Sequence, residues 1–332
     1  MKVMALYQQA PIQTHPLIIE DWDIPKPKEK ELLIKINCCA ICRTDLHIIE
    51  GELPLVVSPI IPGHQIVGTV IEIGTQCTKY KVGDKVGIAW LRMTCGTCDF
   101  CKIGLENLCK DSLYTGYHQH GGYAEYTVVN EDFAYALPKN LDDPKIAPLL
   151  CAGIIGFRAW KKTELRKKNV LAIYGFGASA HIILQIAKAK GVTVFVVSQR
   201  KNHQELAIQL GADWAGSNPS ELPELPDASI IFAPNGNLIP TALEYLKKGG
   251  RLVLAGIYMS DTPPLNYERH IFYEKHILSV TSNTRVDGQE LLKEAINVKV
   301  KTHVELTPLK EVNELLQKLK ENKINGSGVV VM

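Results

Sequence analysis

The sequence has no marked excess of either charge: 37 lysines and arginines against 35 aspartates and glutamates leave a formal net charge of +2 over 332 residues. A nucleic-acid grip or a polybasic membrane anchor needs positive charge gathered on one face, so neither is expected. No secretory leader is expected either. The first fifteen residues hold one lysine and reach Gln8 and Gln9 before any apolar run develops, which predicts a cytosolic chain. Long hydrophobic runs are missing too. The longest uncharged stretch, 169–187, is broken by Gly175, Gly177, Ser179, His181 and Gln185, a pattern for a buried strand, a tight turn and a helix rather than a bilayer span. Internal repeats and low-complexity segments are absent. With 46% apolar and 22% charged residues, the composition is that of a folded globular protein and excludes disorder. The length is about twice that of a usual single domain, which predicts two.

The texture changes part-way along the chain. Up to about residue 150, short β-type runs at 32–36, 66–73, 85–89 and 124–129 are separated by glycine and proline and predict a mostly β half. From about residue 168, strand-like and helix-like segments alternate. Strands are predicted at 170–174, 192–198, 228–232, 251–256 and 277–282, and helices at 178–190, 203–210 and 238–248. That rhythm predicts an α/β doubly wound parallel sheet. An amphipathic helix near 309–320 belongs to either half on periodicity alone.

Cysteine is plentiful, with nine residues, and in a reducing compartment such a number points to metal rather than to disulfides. Cys95, Cys98, Cys101 and Cys109 are spaced C-x2-C-x2-C-x7-C in a glycine-containing loop, which suits a closed tetrahedral structural zinc site. The bacterial iron–sulfur pattern begins in the same way but continues with three residues, a cysteine and a proline. Here seven residues intervene and Lys110 follows. A second set is scattered: Cys42 in AICRTDLH, His64 in PGHQ and Cys151 in PLLCAG. Two cysteines and one histidine form a set that leaves a catalytic zinc its fourth position. Spacing alone favours reading them as small buried thiols and a hydrogen-bonded histidine. Cys38, Cys39 and Cys77 read as core or edge thiols.

YGFGAS follows a strand-like run and opens a helical one, with Gly175, Gly177 and Ala180 in the G-x-G-x-x-A form of a dinucleotide-binding turn. The first glycine permits the turn, the second admits the pyrophosphate to the backbone and the helix N-terminus, and the third small residue lets helix and strand pack. An NAD site usually carries Asp or Glu at the end of the next strand. This chain has Ser198-Gln199-Arg200, a hydroxyl and a guanidinium that favour NADP over NAD. The alternative is that Arg200 and Lys201 simply begin a solvated helix.

Together, AICRTDLH, PGHQIVGTV, the four-cysteine loop, GGYAEY, PLLCAG, GFGASA and KKGGRLVLAG resemble, in the same order and over essentially the whole chain, the zinc-dependent medium-chain alcohol dehydrogenases. FAPNG, AGIYMSDTPP and SNTRVDG further resemble a broad-range bacterial and archaeal branch. The resemblance implies a GroES-like, mostly β catalytic domain over 1–152, completed by 283–332, with a Rossmann domain at 153–282 between. It implies a homodimer or homotetramer joined through an edge strand near 277–282. It further implies hydride transfer with NAD(P) between a small-molecule alcohol, primary for preference, and its aldehyde or ketone. Position by position, Cys42, His64 and Cys151 become catalytic zinc ligands, and Cys95, Cys98, Cys101 and Cys109 the structural set. Thr44 becomes the hydroxyl that meets the substrate oxygen, His47 the outer member of a proton relay, and Asp45 the partner of the His64 imidazole. Trp90 becomes an aromatic wall of the substrate pocket, and Arg43 and Arg285 contacts near the cofactor phosphates.

One position departs from the family, which usually has Glu directly after the histidine ligand where this chain has Gln65. A neutral amide there is expected to leave the metal more electrophilic and to favour ionisation of the alcohol. The run His118-Gln119-His120 reads as a solvent-facing turn before Gly121-Gly122, or as a flank of the substrate entrance. Two rivals stand beside the dehydrogenase. A metal-free quinone or enoyl reductase on the same fold has no use for Cys42, His64, Thr44 and His47 together. A non-catalytic NADPH-binding sensor or structural protein would keep the four-cysteine lobe without the relay.

Overall fold

Residues 31–40, ELLIKINCCA, place an apolar side chain at almost every position, and such a run is stable as a strand only when covered on both sides. In the computed structural model, which describes residues 1–332, the strand Glu31–Ala40 is buried along most of its length. It is the spine of the first of two units, which comprises Met1–Ala152, Ser282–Gln289 and Thr302–Met332. Its seven-stranded sheet runs Val304–Pro308, Ser327–Val331, Glu31–Ala40, Gln65–Ile73, Lys85–Ile88, Ala134–Ala136, with Tyr126–Asn130 also paired to the spine. Register shifts at Leu33/Ile34 and Ile36/Cys38 bend the spine. Its first half therefore meets residues 126–130 and its last three residues meet 329–331. Ile34, Ile36, Ile66, Val70, Val86 and Ile88 fill the core beneath.

Two local features set the first unit's geometry. The helix Arg43–Glu50 begins after a two-residue link from the end of the spine, capped where the Cys42 N–H donates to Asp45 Oδ2 at 2.8 Å. The loop carrying His64 is sewn to the GGY segment: the N–H groups of Gly121, Gly122 and Tyr123 donate to the carbonyls of Ile61, Gly63 and Pro62 at 2.7, 2.9 and 3.0 Å. Such an approach needs glycine on both sides. Gly63 has φ +91°, and a Cβ on Gly121 would fall 2.0 Å from the Gly63 carbonyl oxygen.

The second unit, Gly153–Thr281 with Glu290–Lys301, has a six-stranded sheet that is parallel throughout. Its order is Trp214–Gly216, Thr193–Val197, Val170–Tyr174, Ala228–Ile231, Arg251–Leu254, His276–Ser279, the 3-2-1-4-5-6 order of the Rossmann fold. VLAIY is buried at every residue, as a central parallel strand must be when helices cover both faces. The helices Ala178–Ala189 and Lys201–Gln209 lie close to the expected bounds. The helix expected over 238–248 ends at Glu244, because the Lys247 N–H is taken by the Pro226 carbonyl at 3.0 Å. Residues 290–301, expected with the first domain, pack with the second unit. Glu290 pairs with Lys161 at 2.6 Å, Glu294 with Lys190 at 2.8 Å, and the Lys301 N–H donates to Gln185 Oε1 at 2.9 Å.

Replacing Gly121 by alanine drives a methyl group into backbone that cannot yield. Gly121→Ala is expected to lower stability by roughly 2 to 3 kcal/mol, read as a lower denaturation midpoint at unchanged m-value.

Candidate active site

Cys42 enters the site as the residue that joins the spine to the helix Arg43–Glu50, His64 from the loop before Gln65–Ile73, and Cys151 from the turn before the helix Ala152–Thr163. Their ligand atoms all lie within 4.8 Å of one another. The His64 imidazole is fully buried, and its Nδ1 faces Asp45 Oδ1 at 2.9 Å. An Nδ1–H donated to that carboxylate leaves Nε2 as the ring nitrogen that a cation would take on displacing its proton, and this buried Nε2 has no hydrogen-bond partner. Asp45, also fully buried, accepts from the Tyr123 hydroxyl at 2.8 Å as well as from the Cys42 N–H.

The electrostatics divide the two cysteines. The hydrogen bond with Cys151 holds the Cys42 thiol well below its ordinary range although burial opposes this, and His64 adds to the lowering. The same bond, with burial, pushes Cys151 well up. Burial alone would lower the His64 pKa, but the Asp45 carboxylate and the Cys42 sulfur outweigh it and bring it up to about 10. A thiolate, a second thiol and an oriented imidazole nitrogen at this separation are the donor set of a zinc site with a fourth position open.

Cys95, Cys98, Cys101 and Cys109 converge in the same way, again within 4.8 Å. The Cys95 sulfur lies 3.9 Å from Cys101 and 3.5 Å from Cys109. A tetrahedron of zinc–sulfur bonds of about 2.3 Å has edges of about 3.8 Å, so the lobe fits the ion. Backbone N–H groups of Thr97 and Cys98 bring the Cys95 pKa down to about 6, which prepares a thiolate.

Thr44 is buried with its hydroxyl 3.6 Å from the Cys42 sulfur. His47 follows one turn later on the same helix, its Nδ1 against Glu52. The Trp90 ring stands edge-on to the His64 imidazole at 5.0 Å and stacks on Tyr114 at 4.8 Å. The 118–120 run forms part of a turn with His120 exposed, as one expectation had it. His118 is half-buried against Tyr114 and Tyr117, and His120 stands edge-on to Trp22; burial lowers both pKa values. Arg43 donates to Asn322. Arg285 differs from expectation: its Nε and Nη2 grip the Glu106 carboxylate at 3.0 and 2.6 Å, and its guanidinium lies over the Phe133 ring. That side chain ties the four-cysteine lobe to residues 282–289.

In the second unit, Gly175 has φ +86°, and a Cβ on it would meet the Ala233 nitrogen at 2.9 Å. Gly177 caps the helix Ala178–Ala189, and a Cβ there would meet nothing within 4 Å. Open space before a helix N-terminus suits a phosphate. Ala180 is buried against the sheet. Ser198, directly after the strand Thr193–Val197, is buried with its carbonyl accepting from Gln204 Nε2 at 2.6 Å, and Arg200 is the exposed N-cap of the next helix.

Two family profiles match the chain: the alcohol dehydrogenase GroES-like domain over residues 28–139, and the zinc-binding dehydrogenase domain over 180–297. A probable alcohol dehydrogenase, AdhA, of Mycobacterium tuberculosis is 44% identical over 100% of this chain and 97% of its own. An alcohol dehydrogenase of Geobacillus stearothermophilus is 39% identical over 93% and 94%. This chain belongs to the zinc-type medium-chain alcohol dehydrogenases. Membership in that family carries oxidoreduction between an alcohol and its carbonyl compound. Among solved structures, CAD from Helicobacter pylori complexed with NADP(H) superposes with a TM-score of 0.90 at 25% identity, over 100% of this chain and 99% of that one.

For a dehydrogenase of this type, sequence reading left out three side chains. Tyr123 lies inside the GGYAEY motif, where two glycines followed by an aromatic signal a close backbone approach. Glu52 and Glu106 gave no signal, since each is one acid among 35 until folding brings it to His47 or to Arg285. Burial and the neighbouring Asp45 push the Tyr123 phenol well up, so it donates at any working pH. Tyr123→Phe is expected to cost roughly 2 kcal/mol, the usual loss for a buried hydrogen bond to a charged group, read by chemical denaturation.

Proposed function

We propose that this dehydrogenase holds one catalytic and one structural zinc per subunit and reduces aldehydes or oxidises alcohols with NADP in preference to NAD. The observation that carries the reading is the convergence of Cys42, His64 and Cys151 around one point, with a buried imidazole nitrogen that no protein group satisfies. A zinc ion in that set supplies the Lewis acidity that favours ionisation of an alcohol hydroxyl, and a nicotinamide dinucleotide supplies the hydride acceptor.

The chain's own residues do the rest. Asp45 and Tyr123 keep His64 in one tautomer. Thr44, buried beside Cys42, accepts the substrate hydroxyl proton while passing on its own, and His47, one turn along the same helix, relays that proton to solvent. The Trp90 ring shields the His64 side of the site from water. Gly175, Gly177 and Ala180 receive the pyrophosphate, and Ser198 and Arg200 meet a 2′-phosphate where an acid would repel it. Arg43 is a further phosphate contact. Arg285 is left out, its guanidinium being committed to Glu106. The nearest rival, a metal-free reductase, gives no reason for an oriented imidazole between two cysteines. The exposed edge strand His276–Ser279 supports a homodimer or a tetramer built from it. No helix is long and apolar enough to cross a membrane, and nine unpaired cysteines support a cytosolic place.

Two measurements test this. Metal analysis should find two zincs per subunit, with one lost in Cys95→Ser; one or none in the wild type returns the chain to the reductase reading. In a spectrophotometric assay over alcohols and aldehydes, NADPH should outperform NADH, and Arg200→Asp should cut the NADPH advantage at least about tenfold, one charge-assisted contact being lost. Thr44→Val should lower kcat on the order of 100-fold, the usual weight of a proton-transfer group.

A further inference from the structure

We propose that Gln65 is a positioning residue that brackets the three-ligand set, joining the backbone beside Cys42, His64 and Cys151 through a single side-chain amide. The proposal rests on the reading of those three residues as a metal site. Gln65 follows His64 directly and is 1% exposed. Its Nε2 donates to the Ile41 carbonyl at 3.0 Å and to the Ala40 carbonyl at 3.2 Å, the two residues that lead into Cys42. Its Oε1 accepts from the Ala152 N–H at 3.3 Å, the residue after Cys151. One buried group thus touches the flank of every ligand, across 87 residues of sequence on the longer arm.

The chemistry of the three partners selects an amide. Two carbonyl oxygens require donors and one N–H requires an acceptor, and only a carboxamide offers two N–H bonds and one oxygen from the same planar end. A carboxylate of the same shape keeps the Ala152 bond but sets negative oxygen against two carbonyls, and a thioether satisfies none of them. Ile41 is held on its other side as well, its N–H donating to the Gly328 carbonyl at 2.9 Å, so the bracket is anchored to the sheet. The three ligand-bearing segments are therefore brought into register by protein–protein bonds, and the ordering does not fall to metal binding. Both ends of the amide being engaged, Gln65 acts through the ligands' backbone, a role separate from any effect of its neutrality on the metal's charge.

The test follows metal release from purified, fully loaded protein to an excess of a chromogenic zinc chelator, for wild type, Gln65→Glu and Gln65→Met, with visible spectra of cobalt-substituted samples. The three-ligand phase is identified by its loss in Cys42→Ser, and the four-cysteine phase reports that each variant is folded. Release from the three-ligand set should quicken on the order of tenfold in both variants, the usual weight of a partner one shell out from a metal. The four-cysteine phase should be unchanged, and the cobalt–thiolate band of the three-ligand set should shift. Unchanged release and spectra overturn the proposal. So does slower release from Gln65→Glu, which would make residue 65 a ligand rather than a bracket. Gln65→Glu, which keeps the shape and one bond, carries the test where Gln65→Met does not accumulate. A wild-type stoichiometry of one metal per chain, unaffected by Cys42→Ser, overturns the site itself and the bracket with it, and is read before any variant at 65 is compared.

Discussion

A fully buried carboxylate must be answered by donors on every side, and in this protein that demand organises the first unit. Asp45 meets the Cys42 N–H, the His64 ring and the Tyr123 hydroxyl. Each donor comes from a different part of the chain: the start of a helix, a glycine-bearing loop, and the segment sewn to that loop. Leaving any of these bonds unmade strands charge in the interior, at a cost far above the gain of a typical hydrogen bond. Closing the carboxylate's shell therefore also fixes where the imidazole points. The cap of the helix and the geometry of the histidine are one problem solved by one side chain.

The two units present their chemistry in different ways. The second follows a periodic logic in which strand, turn and helix recur, and a turn of fixed glycine spacing lies at the C-terminal edge of the central strand. The first has no such period. Its donors come from strand ends and turns far apart in sequence, and hydrogen-bonded backbone contacts with little room for side chains hold them together. Gly63 and Gly121 are small because the chain passes itself there at backbone distance.

That difference sets what was legible in the sequence. VLAIY and the helix after it could be read because buried parallel strands and amphipathic helices each carry their own pattern. The four cysteines were legible because their ligand atoms come from fifteen consecutive residues. The scattered trio gained meaning only through resemblance, since no local pattern links residues 42, 64 and 151. The pairing of Arg285 with Glu106 was not legible because an arginine's partner is a matter of tertiary placement, and Glu106 carries no mark in the sequence. Residues 290–301 were misassigned for a similar reason: a helix that begins among one unit's residues gives no sign of where its later ion pairs will form. Gln65 was noticed for its charge, whereas its hydrogen-bonding geometry belongs to the folded chain.

The discontinuity of the first unit bears on how the molecule is made. Ser327–Val331 lies inside its sheet, hydrogen-bonded to Val304–Pro308 on one side and to the spine on the other. The central strand of the nascent polypeptide thus waits, with one edge of its last residues unpaired, until residues 327–331 have left the ribosome. The intervening nucleotide-binding residues are synthesised and free to fold in the meantime. Until residues 327–331 are available that strand edge stays exposed, and it is there that chaperone demand and aggregation should concentrate during synthesis.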